Sequence, residues 1–227
     1  MTVACGIDGC RGGWVVVTAR VRPWRVLTID VVGRLDAALA GPAEFVAIDM
    51  PIGLARNGPR ACDQIARSML GPRRSSVFPA PVRAVLGAED YPDARRRSRA
   101  ASGVGLSKQT WNLVPKIIEL DSLMTPALQD RVREAHPELV FARLGGAPMS
   151  AHKRTPAGRA ERLGLIGGTT AAPGAISGTG PGLRATADDL VDALVLARVA
   201  ADMATGHAFV VGDGERDDRG LTMEIWG

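Results

Sequence analysis

Cysteine, lysine and long apolar runs are scarce in this 227-residue sequence. The three cysteines are too few and too irregularly spaced for a secreted disulfide scaffold or a four-ligand zinc site, which indicates a reducing compartment. Even residues 191–204 are interrupted by Asp192, Arg198 and Asp202, so no stretch is long and apolar enough to span a membrane. The first eight residues lack a basic segment and contain an early carboxylate, which argues against a signal peptide. We therefore predict a soluble, cytoplasmic protein with no membrane partner.

Because lysine occurs only three times, nearly all of the 28 basic residues are arginines. Arginine suits phosphate recognition, although a GC-rich genome would produce the same bias. The net charge of +4 is mild, but residues 52–99 contain ten arginines and four acids. The positive charge is therefore concentrated in one segment, as expected for a region that contacts an anionic substrate.

The composition is that of a soluble globular protein, with 46% hydrophobic and 23% charged residues. The length exceeds one typical domain of roughly 150 residues but does not reach two. From residue 52 to about 127 the sequence becomes rich in Arg, Pro, Gly and Ser. We therefore predict a single α/β domain over residues 1–227 with an insertion at about residues 52–127.

The first fifty residues predict most of a central sheet. Residues 2–8, 14–21 and 25–32 are short β-prone runs separated by turns, which predicts a three-stranded meander. Residues 33–41 have helical spacing and end at a glycine. Residues 44–50 form a nearly continuous apolar run, which is typical of a buried parallel strand. The predicted order is thus β-β-β-α-β.

The remaining sequence predicts the other elements of the domain. Residues 60–70, 115–123 and 156–165 have helical spacing, residues 131–141 have strand character, and residues 167–182 indicate an irregular loop. The strongest amphipathic pattern covers residues 186–205 and stops at Gly206. Short strands are expected at residues 208–211 and 221–226. Together these elements predict a mixed five-stranded sheet of order β-β-β-α-β-α-β-α, with the insertion after strand four.

Two carboxylates stand at predicted strand ends. Asp8 precedes a glycine-rich turn that lets a ligand approach closely, and Asp49 ends the buried strand at the edge where α/β sheets place their sites. Either residue could instead bond into its own turn. Two more carboxylates, Asp189 and Asp192, are three residues apart on one predicted helical face and would need a cation between them. Helix capping after Thr186 could explain Asp189, but not Asp192, whose neighbours are apolar.

The four carboxylates together resemble the active site of the resolvase-type RNase H-like nucleases. In that fold strands one and four are neighbours, and an acidic carboxy-terminal helix brings its carboxylates to both strand ends. Asp8, Asp49, Asp189 and Asp192 would accordingly be catalytic ligands of one or two Mg²⁺ or Mn²⁺ ions. Residues 189–194, with Asp, two spacers and then Asp-Ala-Leu, resemble the acidic helix of bacterial Holliday-junction resolvases.

The chain is also similar to the domain-of-unknown-function family 429, described as predicted RNase H-like nucleases. The motifs that carry this resemblance lie at residues 6–14, 48–53, 74–81, 105–111, 115–117 and 134–138. They follow one another over most of residues 3–200, and they imply an RNase H-like fold and nuclease activity.

Further residues are candidates for catalysis or for substrate contact. Glu134 is a candidate additional metal ligand and His136 a proton shuttle, unless both belong to a turn. Trp111 and Lys108 could stack on a base and contact a phosphate, although a tryptophan is more often a packing anchor. The candidate substrate-binding residues are Arg11, Arg74, Ser75, Ser76, Lys108, Gln109, Trp111 and Lys116. The run Arg95–Arg96–Arg97 with Arg99 indicates a solvated helix face.

These patterns predict a metal-dependent nuclease that binds DNA or RNA through the arginines of the insertion. Two alternatives remain open. The glycine-rich hairpin after Asp8 also begins actin-like and sugar-kinase ATP phosphotransferases, although only residues 211–214 could form their second phosphate loop. A nucleic-acid-binding protein that keeps the fold without cleaving would use the same carboxylates as caps and turn formers. The sequence is compatible with a monomer or a homodimer.

Overall fold

The computed structural model describes residues 1–166, 176–177 and 182–227. The predicted loop at residues 167–182 lies almost entirely outside the described residues. The chain forms two compact units. The first comprises Met1–Asp49, Arg131–Phe209 and Trp226–Gly227, and the second comprises Met50–Asp130 and Val210–Ile225. The second unit thus contains the predicted insertion together with a segment near the carboxyl terminus.

The first unit contains a mixed α/β sheet with the strand order β5-β4-β1-β2-β3-β6. Strand β1 pairs antiparallel with β2 and parallel with β4, while β4 pairs parallel with β5. The short strand β6 extends the five longer strands by pairing parallel with β3. Strands β7 and β8 form a separate two-stranded sheet. The strands are β1 Val3–Cys10, β2 Gly13–Arg20, β3 Arg25–Val32, β4 Phe45–Ile48, β5 Val132–Glu134, β6 Ile176–Ser177, β7 Val210–Val211 and β8 Ile225–Trp226.

The described residues also contain eight α-helices and two 3-10 helices. The 3-10 helices are Gly71–Ser76 and Arg83–Gly87. The α-helices are α1 Leu35–Leu39, α2 Ala61–Leu70, α3 Tyr91–Ser102, α4 Lys108–Leu123, α5 Pro126–Gln129, α6 Pro137–Gly145, α7 Pro156–Leu165 and α8 Ala187–Thr205. The mixed α/β class and the five-stranded mixed sheet predicted from the sequence are confirmed. None of the described helices is both long enough and apolar enough to cross a membrane.

Helix α8 packs on the central sheet and forms much of the core of the first unit. Ten of its residues are buried, and its apolar residues, such as Leu194, share one core cluster with Val15 and Val17 of β2. Thr186 caps the helix by accepting a hydrogen bond from Asp189 N, and Thr186 N donates one to the Asp189 carboxylate, which completes a reciprocal capping box. The helix stops at Gly206, as predicted, and Gly206 adopts the left-handed conformation.

The second unit contains a buried ion pair, a partly buried ion pair and a small apolar cluster around Val85. The Arg60 guanidinium bonds Asp63 at 2.5 Å, and both side chains are almost fully buried. Asp217 accepts hydrogen bonds from Leu54 N and Leu221 N and pairs with Arg83. These donors lower the pKa of Asp217 although burial opposes the shift, so the carboxylate is stable in its charged form.

Two expectations about local structure are wrong. The sequence predicts a strand over residues 131–141, but β5 ends at Glu134 and α6 begins at Pro137. The backbone N–H of the first helical residue has no partner within the helix, so proline, which lacks this N–H, is well suited to start the helix at Pro137. Helix α4 begins at Lys108 rather than near Pro115, because Ser107 caps it by accepting a hydrogen bond from Thr110 N. Pro115 therefore lies inside the helix.

Candidate active site

Asp8 lies near the end of β1, and this residue is only 7% exposed. Its Oδ1 accepts a hydrogen bond of 2.8 Å from Gly9 N, so one oxygen bonds into the turn that the sequence allowed as an alternative. Within the described part of the chain this is its one side-chain hydrogen bond, which leaves most of the hydrogen-bonding capacity of a carboxylate unused. A buried carboxylate with little internal compensation is costly, which makes Asp8 a candidate functional residue.

Asp49 follows β4 directly and is brought beside Asp8 by the parallel pairing of β1 with β4. Ile7 pairs with Ile48, and Asp49 N donates a hydrogen bond of 3.1 Å to Ile7 O. The next residues in this register are Asp8 and Asp49. The half-buried Asp49 and the buried Asp8 therefore meet at the carboxyl edge of two neighbouring strands.

Gly6 brings the acidic helix α8 against the same part of β1. A Cβ on Gly6 would lie 2.1 Å from Ala197 N and 2.2 Å from Ala193 O, so only glycine permits this approach. Gly6 and Asp8 are two residues apart on one strand and therefore face the same side of the sheet. Asp192, which precedes Ala193 on that helix, is 3% exposed. The close contact thus presents Asp192 to the strand face that carries Asp8.

Lys153 supplies a positive charge to this group of carboxylates. It lies between α6 and α7, and its Nζ donates a hydrogen bond of 2.7 Å to Asp192 Oδ2. The side chain of Asp192 is 5% exposed, whereas that of Lys153 is 41% exposed. No local pattern in the sequence points to Lys153, because its contact with Asp192 spans 39 residues.

The electrostatics show that these side chains influence one another. Burial raises the pKa of Asp8 well above its ordinary value, and repulsion from Asp49, Asp192 and Asp189 raises it further. Burial likewise raises the pKa of Asp49, against the attraction of His136 and Lys153. Burial raises the pKa of Asp192 to about 6, although Lys153 acts in the opposite direction. Burial disfavours the charge of Lys153, yet attraction to Asp192, Asp49 and Asp8 raises its pKa overall.

Asp189 and Glu134 differ from these three carboxylates in their hydrogen bonding or in the face of the sheet on which they lie. Asp189 is half-buried, and its Oδ2 accepts a hydrogen bond of 2.8 Å from Thr186 N, so the capping alternative holds for it. It still acts on Asp8 by repulsion. Glu134 is buried in β5 and pairs in register with Ile48, which pairs in turn with Ile7. Residues in register share a face, so Glu134 lies on the face opposite to Asp8.

Glu138 acts electrostatically on the carboxylates of the site, although the sequence indicates only the nearby Glu134 and His136 as candidates. It is buried in the first turn of α6, and its Oε1 accepts a hydrogen bond of 2.6 Å from the buried Arg162. Its Oε2 is buried without a hydrogen-bond partner among the described residues. Its negative charge raises the pKa of both Asp49 and Asp192. The helix beginning at Pro137 is the signal that could have placed Glu138 here.

The predicted substrate-binding residues lie on several elements. Arg11 follows β1 and is exposed, and its backbone O accepts a hydrogen bond from Arg184 N. In the second unit, Arg74 and Ser75 are exposed on the 3-10 helix Gly71–Ser76, where Ser76 is half-buried. The others lie on α4, with Lys108 and Gln109 exposed and Trp111 and Lys116 half-buried.

The donor chemistry of the first unit suits a hard divalent cation. Asp8, Asp49 and Asp192 offer carboxylate oxygens, which Mg²⁺ and Mn²⁺ prefer. Within residues 1–166, 176–177 and 182–227, no three His, Cys, Asp or Glu side chains are already grouped as a metal site. Binding would therefore require these side chains to draw together.

Comparison with known proteins gives one match. Residues 6–216 match the model of the family described as "Protein of unknown function (DUF429)", which covers most of the 227-residue chain. No curated protein and no solved structure matches the chain significantly. The family resemblance seen in the motifs is thereby confirmed, and its description assigns no activity.

Proposed function

We propose that this chain, which belongs to the DUF429 family, is a metal-dependent nuclease that hydrolyses phosphodiester bonds. The observation that carries the proposal is the group of Asp8, Asp49 and Asp192 around one ammonium group. Carboxylates from two strand ends and one helix influence one another electrostatically, and Lys153 bonds one of them. Such a group has a surplus of negative charge that a divalent cation would neutralise.

The residues present fit a Mg²⁺ or Mn²⁺ ion by charge and by donor type. Three carboxylates against one lysine leave two negative charges if all four groups are ionised. Glu138 Oε2, which has no hydrogen-bond partner among the described residues, adds a buried oxygen close enough to affect Asp49 and Asp192. Asp8, Asp49 and Asp192 would hold the ion, and Asp189 would add negative charge beside Asp8. When bound, a divalent ion activates water and stabilises the leaving oxygen of a phosphodiester.

The protein's own groups have separable roles in this proposal. The backbone positions of Asp8 and Asp49 are fixed by the pairing of adjacent strands, so only side-chain rotation would draw the two carboxylates together. Asp192 is fixed by the packing of α8 on Gly6. Lys153, which is tethered on a connecting segment and partly exposed, can leave Asp192 and bond a phosphate oxygen.

The fold supports the same proposal. A meander of three antiparallel strands, two further strands parallel to the first, and a carboxy-terminal helix against strand one form the arrangement expected of an RNase H-like domain. The three carboxylates lie at the ends of strands one and four and on that helix, as this arrangement would require. Fold similarity alone does not assign chemistry, so the carboxylate group remains the stronger support.

One contact favours a second candidate function, that of a nucleic-acid-binding protein without nuclease activity. Lys153 already neutralises Asp192 at 2.7 Å, as a permanent replacement for a cation would. In that case the carboxylates would serve stability alone, and divalent ions would have no effect on them.

A cleavage assay tests the proposal. We expect the protein with Mn²⁺ to cleave at least one of single-stranded, duplex, hybrid or branched nucleic acids, and Asp8→Asn to abolish cleavage. Asp213→Asn, a substitution of an exposed carboxylate in the second unit, serves as the matched control and should cleave normally. Cleavage by purified Asp8→Asn at the wild-type rate would reject the proposed site.

A binding measurement separates the two candidate functions. Mn²⁺ should raise the melting temperature of the native protein but not that of Asp192→Asn. Equal responses would show that Asp192 does not contribute to cation binding. An absence of response in the native protein, together with no cleavage, would favour the non-catalytic candidate.

A further inference from the structure

A groove of about 570 Å³ runs along α3 in the second unit. Among the described residues, its lining combines three arginines with one aromatic ring and two small side chains. The lining residues are Tyr91, Pro92, Arg95, Arg96, Arg99 and Ala100. These residues recur at alternating intervals of one and three, so they form a continuous stripe on one face of the helix. The stripe is basic where an ordinary surface helix would alternate its charges.

The positive charge of this groove is largely uncompensated. Arg95 and Arg99 are four residues apart, a spacing at which like charges repel on a helix. Both are exposed, and neither forms an ion pair with any residue in the described part of the chain. Arg96 pairs with Asp93 at 3.1 Å, but its side chain remains 72% exposed. Such an arrangement destabilises the isolated helix slightly and provides guanidinium groups that can contact an anion.

An aromatic pair fixes one end of the groove. The Tyr91 ring lies 6.2 Å from the Trp111 ring, and its hydroxyl donates a hydrogen bond to Leu106 O. Lys108 Nζ lies 4.5 Å from the centre of the Tyr91 ring, and the Arg95 guanidinium lies 5.8 Å from it. A guanidinium placed over an aromatic ring is held by it and can itself receive a nucleobase.

We propose that this groove binds single-stranded nucleic acid, with phosphates on Arg95, Arg96 and Arg99 and a base stacked at the Tyr91 end. The volume is in the range of small-ligand sites, so it suits one or two nucleotides rather than the width of a duplex. Arginine and an aromatic ring together are the combination that single-strand channels use. The assignment deepens the proposed function, on which it rests for the identity of the substrate.

The experiment measures binding without cleavage. A fluorescein-labelled thymidine oligonucleotide of about twelve nucleotides is titrated with the full-length protein in EDTA, and anisotropy is followed at several salt concentrations. Arg95→Ala/Arg96→Ala/Arg99→Ala should raise the Kd at least about tenfold and reduce the salt slope by about two, because each lost single-strand phosphate contact removes about 0.7. Tyr91→Leu should weaken binding about fivefold or more, whereas Tyr91→Phe, which keeps the ring, should bind within about twofold of wild type.

The matched control removes three exposed arginines outside the groove. Arg25→Ala/Arg34→Ala/Arg56→Ala causes the same change in net charge and should raise the Kd less than about threefold. An equal loss in both triple variants would overturn the proposal, since it would show that only overall charge matters. Tighter binding of a duplex of equal length would also overturn the proposal. So would a combined result in which inorganic polyphosphate competes fully at matched phosphate concentration and Tyr91→Leu has no effect on binding.

The two proposals fail separately. Binding in EDTA is measured without the cation and without cleavage, so its outcome does not depend on the nuclease activity. If the oligonucleotide binds through the groove but is never cleaved with Mn²⁺, the nuclease proposal fails alone. If cleavage occurs while the groove variant binds normally, the groove assignment fails alone.

Discussion

Replacing Lys153 by methionine tests whether one ammonium group balances the buried carboxylates. The substitution keeps an unbranched side chain of similar length and removes the charge that bonds Asp192 at 2.7 Å. Breaking a fully buried ion pair costs about 3–5 kcal/mol because the remaining charge is unpaired. The Lys153 side chain is 41% exposed, so solvent already screens part of this interaction. We therefore expect Lys153→Met to lower the free energy of unfolding by about 1–2 kcal/mol in EDTA at about pH 7.5.

The expected loss depends on pH in a direction fixed by Asp192. Its pKa of about 6 in the folded protein lies above the ordinary value of 3.8, so the folded state binds this proton more tightly than the unfolded state. The charged form therefore costs stability above about pH 6, and the cost disappears as Asp192 is protonated between about pH 6 and pH 4. Because Lys153 lowers this pKa, its removal raises the pKa further. The deficit of Lys153→Met should accordingly be largest near pH 7.5 and smaller at about pH 5.

The assay is urea or thermal unfolding followed by circular dichroism, with and without Mn²⁺. For a chain of this size each kcal/mol shifts the melting temperature by about 2–4 °C. Mn²⁺ should recover most of the deficit, since the ion takes the place of the ammonium group. Arg154→Met removes the adjacent exposed cation, which forms no ion pair among the described residues, and should have little effect. A deficit that is identical in EDTA and in Mn²⁺ would refute the reasoning that the carboxylates share a cation site.

Two other substitutions probe the same architecture. Asp8→Asn keeps the oxygen that accepts the Gly9 hydrogen bond and removes a charge that three carboxylates repel. Differential scanning calorimetry in EDTA should therefore show a higher melting temperature than for the native protein. A lower melting temperature would contradict the repulsion. Gly6→Ala places a Cβ 2.1 Å from Ala197 N and should lower the free energy of unfolding, measured in urea, by about 3 kcal/mol or more. The control Gly164→Ala substitutes a helical glycine whose Cβ would meet open space, and it should leave stability unchanged or raise it slightly. Wild-type stability of Gly6→Ala would show that α8 does not need this close approach.

Local patterns in the sequence predict the elements of the first unit well. Strand β3 and helix α7 have the predicted bounds, and α8 begins one residue after the predicted cap at Thr186. These signals are local because β-branched runs, prolines at helix starts and capping residues act within a few positions. The neighbouring positions of Asp8 and Asp49 are what the RNase H-like resemblance implies, because it places strands one and four side by side, and β1 does pair parallel with β4.

The parts that cannot be predicted from the sequence depend on contacts between distant residues. Lys153 reaches Asp192 from a connecting segment, and Glu138 is held by Arg162 from another helix, so neither contact leaves a local pattern. The sequence predicts strand character around Glu134 but extends the strand too far, and the face that carries Glu134 depends on register, which the alternation of a three-residue strand does not determine.

The capping box at the start of α8 would couple the proposed cation site to the rigidity of a helix end. Asp189 has a single carboxylate, and its Oδ2 already bonds Thr186 N. If a divalent ion draws Asp189 toward Asp8, that bond is lost and the first turn of α8 opens more readily, at a cost typical of a lost cap of about 1 kcal/mol. Amide hydrogens at residues 186–190 would then exchange faster with solvent in the metal-loaded protein, while those of the helix interior exchange more slowly. A helix end would thereby report occupancy of the site without any change in the fold.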